Sequence, residues 1–202
     1  MTPRPRGRPG PAGPDDPATE ASLIARAKAG DVAAFELLAG AHADRLFAVL
    51  LRLLGDRAEA ADVAQEVMLR AWRGIGRFRG SSRFFTWLYR IAVNEANRAL
   101  ARRSRQPAAV PVDDARQLPA PAGEQPDRLV EQAELRRALG DALASLPPAY
   151  RTAIVLRDIE GLPTRDAAEI AGIGQAAFKS RLHEARRKLR AALGDKALLS
   201  GA

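Results

Sequence analysis

Apolar residues recur along this chain at helical spacing. In residues 175–190, QAAFKSRLHEARRKLR, the side chains of Phe178, Leu182, Ala185 and Leu189 repeat at i, i+4, i+7 and i+11, which places them on one side of a helix. No alternating run of β-branched residues exceeds a few positions, so the pattern does not predict strands. We therefore expect an all-α fold, with helices near 20–29, 32–54, 56–73, 83–103, 128–145 and 149–160, a short helix opened by Thr164 as its N-cap, and a long helix beginning at 175.

The helical periodicity also predicts a core. In the helix over 32–54, capped by Asp31 after Gly30, the apolar spine includes Phe35, Leu38, Leu46, Val49, Leu50 and Leu53. In the next two helices it comprises Ala60, Val63, Ala64, Val67 and Ala71, and then Phe84, Leu88, Ile91, Ala92, Ala96 and Ala99.

Proline-rich stretches divide the chain. Residues 1–18 hold six of the fourteen prolines and residues 104–127 hold five more, and neither stretch has helical periodicity. We predict a disordered tail over 1–18, a domain over 19–103, a flexible linker over 104–127, a second domain over 128–194 and a tail over 195–202. The predicted architecture is two small helical domains, the first with four helices.

Composition narrows the function. The net charge of +8 favours a polyanionic partner. The chain has no cysteine, and its two histidines, His42 and His183, form no recognisable metal motif, so we expect no metal and no other cofactor. No apolar run approaches the roughly 20 residues that a membrane span needs. The cationic N-terminus lacks the apolar segment of a secretory signal, so a cytoplasmic protein without membrane insertion is expected.

The residues from Leu162 to Arg190 follow the order of a helix-turn-helix. A short apolar helix precedes a glycine-containing turn and a long helix with one basic face. Such a second helix lies in the major groove, where its first residues contact base edges and later cations contact phosphate. The base-edge candidates are Gln175, Ala176, Lys179, Ser180 and His183; the phosphate candidates are Arg186, Arg187 and Arg190; Arg181 suits either role. The alternative is a three-helix packing module whose basic face is only solvated.

The helix over 56–73 has an acidic face in an otherwise basic block. Its exposed side is expected to carry Glu59, Asp62 and Glu66, with Gln65, Leu69, Arg70 and Arg73 nearby. An acidic face is unsuited to DNA and suggests a protein partner with a basic groove. Carboxylates at this spacing also suit a metal ion in principle, and a merely solvated face is the closest competitor.

The stretch 77–103 mixes aromatic, amide and cationic side chains. Bases of single-stranded nucleic acid stack on aromatic rings while cations follow the backbone, and this composition suits that task. The loop from Arg77 to Arg83 has the polar groups to hydrogen-bond a base taken out of the stack. The simpler interpretation is that Phe85 and Trp87 are core aromatics.

Four motifs in this order resemble the extracytoplasmic-function (ECF) sigma factors of the sigma-seventy family, which are RNA polymerase initiation factors. They are DRAEAADVAQEVMLRAW, FRGSSRFFTWLYRIAVN, LPPAYRTAIVLRDIEGL and FKSRLHEAR, spanning about 20–193. The resemblance implies a region 2-like domain that binds core polymerase and melts the minus-ten element. It also implies a region 4-like helix-turn-helix domain that reads the minus-thirty-five element, with no enzymatic activity of the chain itself.

The resemblance also assigns partners and residues. The partners it implies are core RNA polymerase, bound through its clamp helices and flap, promoter DNA in duplex and single-stranded form, and an anti-sigma factor. Indirect attachment to the membrane through that anti-sigma factor is left as an alternative. It places the chain at the nucleoid. The polymerase-binding positions it implies are Asp62, Gln65, Glu66, Leu69 and Arg70. The minus-ten positions are Arg77, Arg79, Ser81, Ser82, Arg83, Phe85, Trp87, Arg90, Asn94 and Arg98.

The last motif departs from the family pattern. Many members have Thr-Val before KSRL and HRAR after it, where this chain has Ala177-Phe178 and His183-Glu184-Ala185-Arg186. Glu184 replaces a cation, which puts one phosphate contact in doubt. Two other functions remain open: a stand-alone helix-turn-helix regulator that dimerises through its first domain, and a nucleic-acid enzyme. The enzyme has little support, since neither Tyr89 nor Tyr150 lies beside a recognisable base.

Overall fold

The computed structural model describes residues 17–105 and 137–199. Most of the predicted N-terminal tail, nearly all of the linker, the first part of the helix predicted over 128–145 and the last three residues lie outside the described residues. Within the described ranges every regular element is a helix. The prediction of an all-α fold is confirmed.

The described part of the first domain contains five α-helices, where the sequence pattern predicted four. They are α1 (Pro17–Lys28), α2 (Val32–Gly40), α3 (Ala43–Leu54), α4 (Arg57–Gly74), which continues into a 3-10 turn (Ile75–Arg77), and α5 (Phe84–Arg103). The predicted N-cap of Asp31 is confirmed: its side chain accepts from the Ala34 amide at 3.0 Å. The structure adds a second N-cap at Asp56, whose side chain accepts from the Glu59 amide at 2.7 Å. Gly55 ends α3 with a left-handed backbone, φ +75°, which glycine adopts without a steric penalty.

The single helix predicted over 32–54 is wrong, because the chain breaks at Ala41–His42. The Ala41 and His42 amides donate hydrogen bonds to carbonyl groups in the last turn of α2, which ends that helix. The His42 carbonyl then accepts the first hydrogen bond of α3, from the Leu46 amide at 2.9 Å. Gly40, a poor helix former, lies at the break. The break lets α2 pack on α1 while α3 packs on α4 and α5, so both halves of the apolar spine are buried.

The second domain contains four helices in its described part. They are α6 (137–145), α7 (Pro148–Ile154), which widens into a π-helical turn (Val155–Ile159), α8 (Thr164–Ile170) and α9 (Gln175–Leu199). The predicted Thr164 N-cap is wrong: Pro163 holds the cap position in an extended conformation, and its carbonyl accepts from the Ala167 amide at 3.0 Å. The helix α9 continues past residue 194, into the predicted C-terminal tail.

The predicted core is largely confirmed. All six spine residues of α2 and α3 are buried, as are Phe178, Leu182 and Ala185 of α9. Three predicted core residues are half-buried instead: Ala64, Ile91 and Leu189.

The two domains contact each other directly. The helices α3 and α5 pack against α7, the π-helical turn and α8. The Glu160 carboxylate is paired with Arg45 Nε at 2.8 Å and with Arg52 Nη1 at 2.9 Å. The buried Arg151 donates to the Leu53 carbonyl at the C-terminal end of α3. The sequence pattern did not predict this docking, because the paired residues lie far apart in the chain.

Candidate polymerase and nucleic-acid interfaces

The outer face of α4 carries the five residues that the resemblance assigns to polymerase binding. Ala60, Val63, Val67 and Ala71 are buried on the inner side, so the helical period turns the five outward. Asp62, Gln65, Leu69 and Arg70 are exposed, and Glu66 is half-buried. Leu69 is 50% exposed, which makes it one of the few large apolar side chains on the surface of the described residues. The result is a continuous surface of two carboxylates, an amide, an apolar side chain and a cation.

No group of three or more His, Cys, Asp or Glu side chains in the described residues is arranged to hold a metal ion. The carboxylates of α4 instead have basic neighbours: Glu66 accepts from Arg70 Nε at 2.6 Å, and Glu59 lies 3.8 Å from Arg103.

The loop before α5 and the exposed side of α5 carry the residues assigned to the minus-ten element. Of that set, seven are exposed and three are half-buried. The exposed ones are Arg77, Arg79, Ser81, Arg83, Arg90, Asn94 and Arg98, and the half-buried ones are Ser82, Phe85 and Trp87. The structure therefore brings cations, an amide and two partly exposed rings to one part of the first domain.

Phe85 and Trp87 are held differently. The Phe85 ring lies edge-on to Tyr89, with 5.3 Å between centroids, and the Arg83 guanidinium lies over it at 5.7 Å. The Trp87 ring lies 5.3 Å from Phe78 and 5.7 Å from Phe84, in an aromatic cluster that extends into the core. Each ring is thus supported from beneath and keeps an accessible part.

The loop itself is anchored at both ends. Phe78 is buried at one end, and at the other the Phe84 amide donates to the Glu20 carboxylate of α1 at 3.3 Å. Gly80 turns the chain with φ +68°, which favours glycine.

The helix α9 presents a basic surface in the second domain. Eight of the nine residues assigned to the minus-thirty-five element are exposed: Gln175, Ala176, Lys179, Ser180, His183, Arg186, Arg187 and Arg190. Arg181 is half-buried and faces a groove of about 560 Å³ between α5 and the second domain. The opposite side of α9 is packed on α7 and α8 through Phe178, Leu182 and Ala185.

Two phosphate candidates of α9 already have carboxylate partners. Arg186 makes a two-point contact with Asp158, at 2.9 and 2.6 Å. Arg187 does the same with Glu184, at 2.9 and 2.6 Å. The hydrogen bonds from Arg187, with the nearby charge of Lys188, lower the pKa of Glu184 to about 2. Glu184 thus neutralises neighbouring cations of its own helix, so the phosphate-facing end of α9 carries less net charge than its arginines suggest.

Sequence reasoning missed one residue that lies between two of these surfaces. Glu95 is buried in α5, where its carboxylate is close to Arg98 of α5 and to Arg70 of α4. Helical spacing could have found it: Leu88, Ala92, Glu95 and Ala99 form one stripe at i, i+4, i+7 and i+11. An acidic residue on a buried stripe needs a cationic partner, and that signal marks it.

The fold and these surfaces define a class: an all-α, two-domain protein with a helix-turn-helix. The comparisons with known proteins agree. The model of Sigma-70 region 2 matches residues 38–106, and that of Sigma-70, region 4 matches residues 136–189. The chain belongs to the sigma-70 family, as an ECF sigma factor that binds RNA polymerase and directs it to promoters.

Curated relatives match over most of their length. The RNA polymerase sigma-H factor of Pseudomonas aeruginosa is 36% identical over 182 residues, which cover 87% of this chain and 92% of the relative. The ECF RNA polymerase sigma-E factor of Escherichia coli K12 is 33% identical over 174 residues, covering 83% and 91%.

Two solved structures share the fold. One is CnrH in complex with the cytosolic domain of CnrY, with a TM-score of 0.60 and 26% identity, covering 86% of this chain and 96% of that one. The other is the sigma factor RpoE in complex with the anti-sigma factor NepR from Bartonella quintana, with a TM-score of 0.58 and 26% identity, covering 75% and 91%. In the described residues, none of the helices has the length and apolar character to span a bilayer.

Proposed function

We propose that the outer face of α4 is the surface that binds the clamp helices of core RNA polymerase. Asp62, Glu66 and the exposed Leu69 give this face both charge for a basic partner and an apolar contact. The single observation that carries the proposal is an acidic face in an otherwise basic chain. Such a face repels the phosphates of DNA, so it suits a basic protein surface instead.

The loop 77–83 and α5 then capture the non-template strand of the melted minus-ten element. Phe85 and Trp87 offer partly exposed, supported rings for bases, and the surrounding arginines meet the phosphates. Because these contacts need an unpaired strand, binding at this surface depends on DNA opening.

The helix α9 reads the minus-thirty-five element in the major groove. The first turns of α9 present Gln175, Lys179 and Ser180 to solvent, and within residues 17–105 and 137–199 these three have no carboxylate partner of the kind that Arg186 and Arg187 have further along. Linking this duplex site to the strand-binding site on one chain raises the effective concentration of each at a promoter. The second domain, which contains α9, also contacts the polymerase flap in this proposal.

An anti-sigma factor is the proposed partner of the chain when it is not bound to polymerase. Both similar structures hold a second protein: CnrH is in complex with the cytosolic domain of CnrY, and RpoE is in complex with the anti-sigma factor NepR. The chain itself catalyses no reaction in this proposal, acts in the cytoplasm at the nucleoid, and leaves RNA synthesis to the polymerase.

Reversing the charge of the α4 face tests the polymerase interface. The double variant Asp62→Lys with Glu66→Lys should lose association with core polymerase and promoter-dependent transcription, while the full chain keeps its affinity for duplex DNA through α9. The matched control reverses two exposed acidic residues of α2 and α3, Glu36→Lys with Asp44→Lys, and should keep polymerase binding. Full polymerase binding by the α4 variant would contradict the proposal and favour a stand-alone regulator.

A further inference from the structure

A series of four side chains connects the two proposed surfaces of the first domain. Arg70 Nε lies 2.6 Å from Glu66 Oε1 and 3.3 Å from Glu95 Oε1. Arg98 Nη1 lies 2.5 Å from the same Glu95 oxygen. We call Glu66, Arg70, Glu95 and Arg98 the ion-pair series. Its charges alternate along its length.

The two ends of the ion-pair series face different ligands. Glu66 and Arg70 belong to the α4 face proposed for polymerase, and Arg98 belongs to the α5 surface proposed for the promoter strand. The middle member, Glu95, is only 5% exposed, whereas the arginines on either side are 44% and 58% exposed. A buried carboxylate depends on its cationic partners, and two solvent-exposed arginines are the partners that the described structure gives it.

The geometry makes the contacts of the series compete. Arg70 Nε carries one hydrogen, which points to the nearer acceptor, Glu66. Glu95 is therefore satisfied mainly by Arg98. If a cation of a partner protein takes Glu66, the Arg70 guanidinium can turn to Glu95, and Arg98 is no longer needed to neutralise the buried charge.

We propose that Glu95 is a positioning residue that couples docking of a basic protein surface on α4 to the release of Arg98 for a nucleic-acid phosphate. This inference rests on the proposed function of the two surfaces. In the free chain Glu95 holds Arg98 along α5, and in the polymerase-bound chain it is held by Arg70 instead. The coupling favours strand capture after the polymerase has bound, and it needs no movement of either helix.

The test measures the affinity of the free, full-length chain for a labelled, mixed-sequence single-stranded DNA by fluorescence anisotropy. Glu66→Gln mimics an engaged Glu66 and should tighten binding by about two- to fivefold, the size expected for coupling within one ion-pair network. In a Glu95→Gln background the same Glu66→Gln change should have no larger effect than Glu36→Gln, which alters only the net charge. The matched control, Glu36→Gln, removes an equal charge from the exposed side of α2 and should change affinity equally in both backgrounds.

Two results would overturn the inference. One is a Glu66→Gln effect no larger than that of Glu36→Gln, which would reflect net charge alone. The other is an undiminished Glu66→Gln effect in the Glu95→Gln background. If Glu95→Gln lowers the thermal stability of the first domain, Glu95→Asp replaces it: this change keeps the charge but shortens the reach to Arg70, and it should remove the coupling as well.

A second measurement separates this inference from the proposed function. Core polymerase should increase the strand affinity of the wild-type chain more than that of Glu95→Gln. A holoenzyme that binds no promoter strand would contradict the proposed function itself. A holoenzyme that binds the strand, but with the same increase over the free chain for wild type and for Glu95→Gln, would contradict only the role of Glu95.

Discussion

At the scale of single residues, the buried guanidinium of Arg151 shows how a charge inside the protein stabilises the fold. Arg151 is 7% exposed, and its guanidinium donates to Ala144 O at 2.6 Å, to Leu146 O at 3.2 Å and to the carbonyl of Leu53. Burial lowers the pKa of Arg151, with a smaller contribution from the charge of Arg103. Its donors satisfy carbonyl groups at the ends of α6 and α3, which have no partners within their own helices. One side chain thus caps the C-terminal end of a helix in each domain.

Replacing Arg151 should therefore cost more than replacing a surface arginine. We expect Arg151→Met to lower the free energy of unfolding by about 3 kcal/mol, because it leaves several buried carbonyl groups without donors. Arg151→Lys should lower it less, since the ammonium keeps the charge but cannot reach all the acceptors. Urea denaturation followed by circular dichroism measures both. Arg137→Met, at an exposed position of α6, is the control and should change the value by less than about 0.5 kcal/mol.

The helices show how far local sequence signals extend. The cap at Asp31 and the apolar stripes predicted where most helices begin, end and pack. The break at Ala41–His42 was not predicted, because the periodicity of apolar residues continues almost undisturbed across it and only packing on two different neighbours separates α2 from α3. The π-helical turn after α7 escaped prediction for a similar reason. The acidic face of α4 and the basic face of α9 followed from the helical period, whereas the minus-ten positions came from the family resemblance. Ion pairs between elements, such as Arg186 with Asp158, depend on tertiary contacts.

The middle of α9, around Glu184, should be sensitive to acid. The folded-state pKa of Glu184 is about 2, below its ordinary value of 4.5, so its pairing with Arg187 stabilises the helix fully above about pH 4.5. That contribution should disappear as the pH falls from 4.5 towards 2, when the carboxylate takes up a proton. Amide hydrogen exchange around residues 184–188 should accelerate over this range, relative to the first turns of α9, after correction for the intrinsic effect of pH.

Glu184→Gln supplies the control for this pH dependence. The variant lacks the charged partner at every pH, so its exchange near Arg187 should already be faster at neutral pH and should show a weaker additional change in acid. An identical pH profile in the variant and the wild type would assign the effect to other groups. Asp158, the partner of Arg186, is the nearest alternative.

The whole molecule is organised around the contact between its domains. Besides the ion pairs, Arg45 Nη2 donates to the backbone carbonyl of Glu160 at 2.7 Å. Next to this contact a cleft of about 490 Å³ is lined by Arg83 and Phe85 of the proposed strand-binding surface and by Leu162, Pro163 and Asp166 of the second domain. The Asp166 carboxylate of this cleft is buried and is paired with Arg165 Nε at 3.2 Å. The cleft thus places residues of both domains next to the contact made by Glu160.

Weakening the Glu160 contact should shift the chain towards separated domains. The Glu160 side chain is only 7% exposed, and it neutralises both Arg45 and Arg52. We expect Glu160→Gln to weaken docking by about 2 kcal/mol, since it removes the charge that a largely buried carboxylate shares with two arginines. This changes the ratio of docked to separated chains by about thirtyfold. Small-angle X-ray scattering should show a larger radius of gyration for the variant.

The matched control is Glu169→Gln. Glu169 is a half-buried glutamate of α8 outside the ion pairs with α3, so this variant should scatter like the wild type. Unchanged scattering of Glu160→Gln would mean that α5–α8 packing and Arg151 hold the domains together without it, and Arg151→Met should then produce the separation that Glu160→Gln does not.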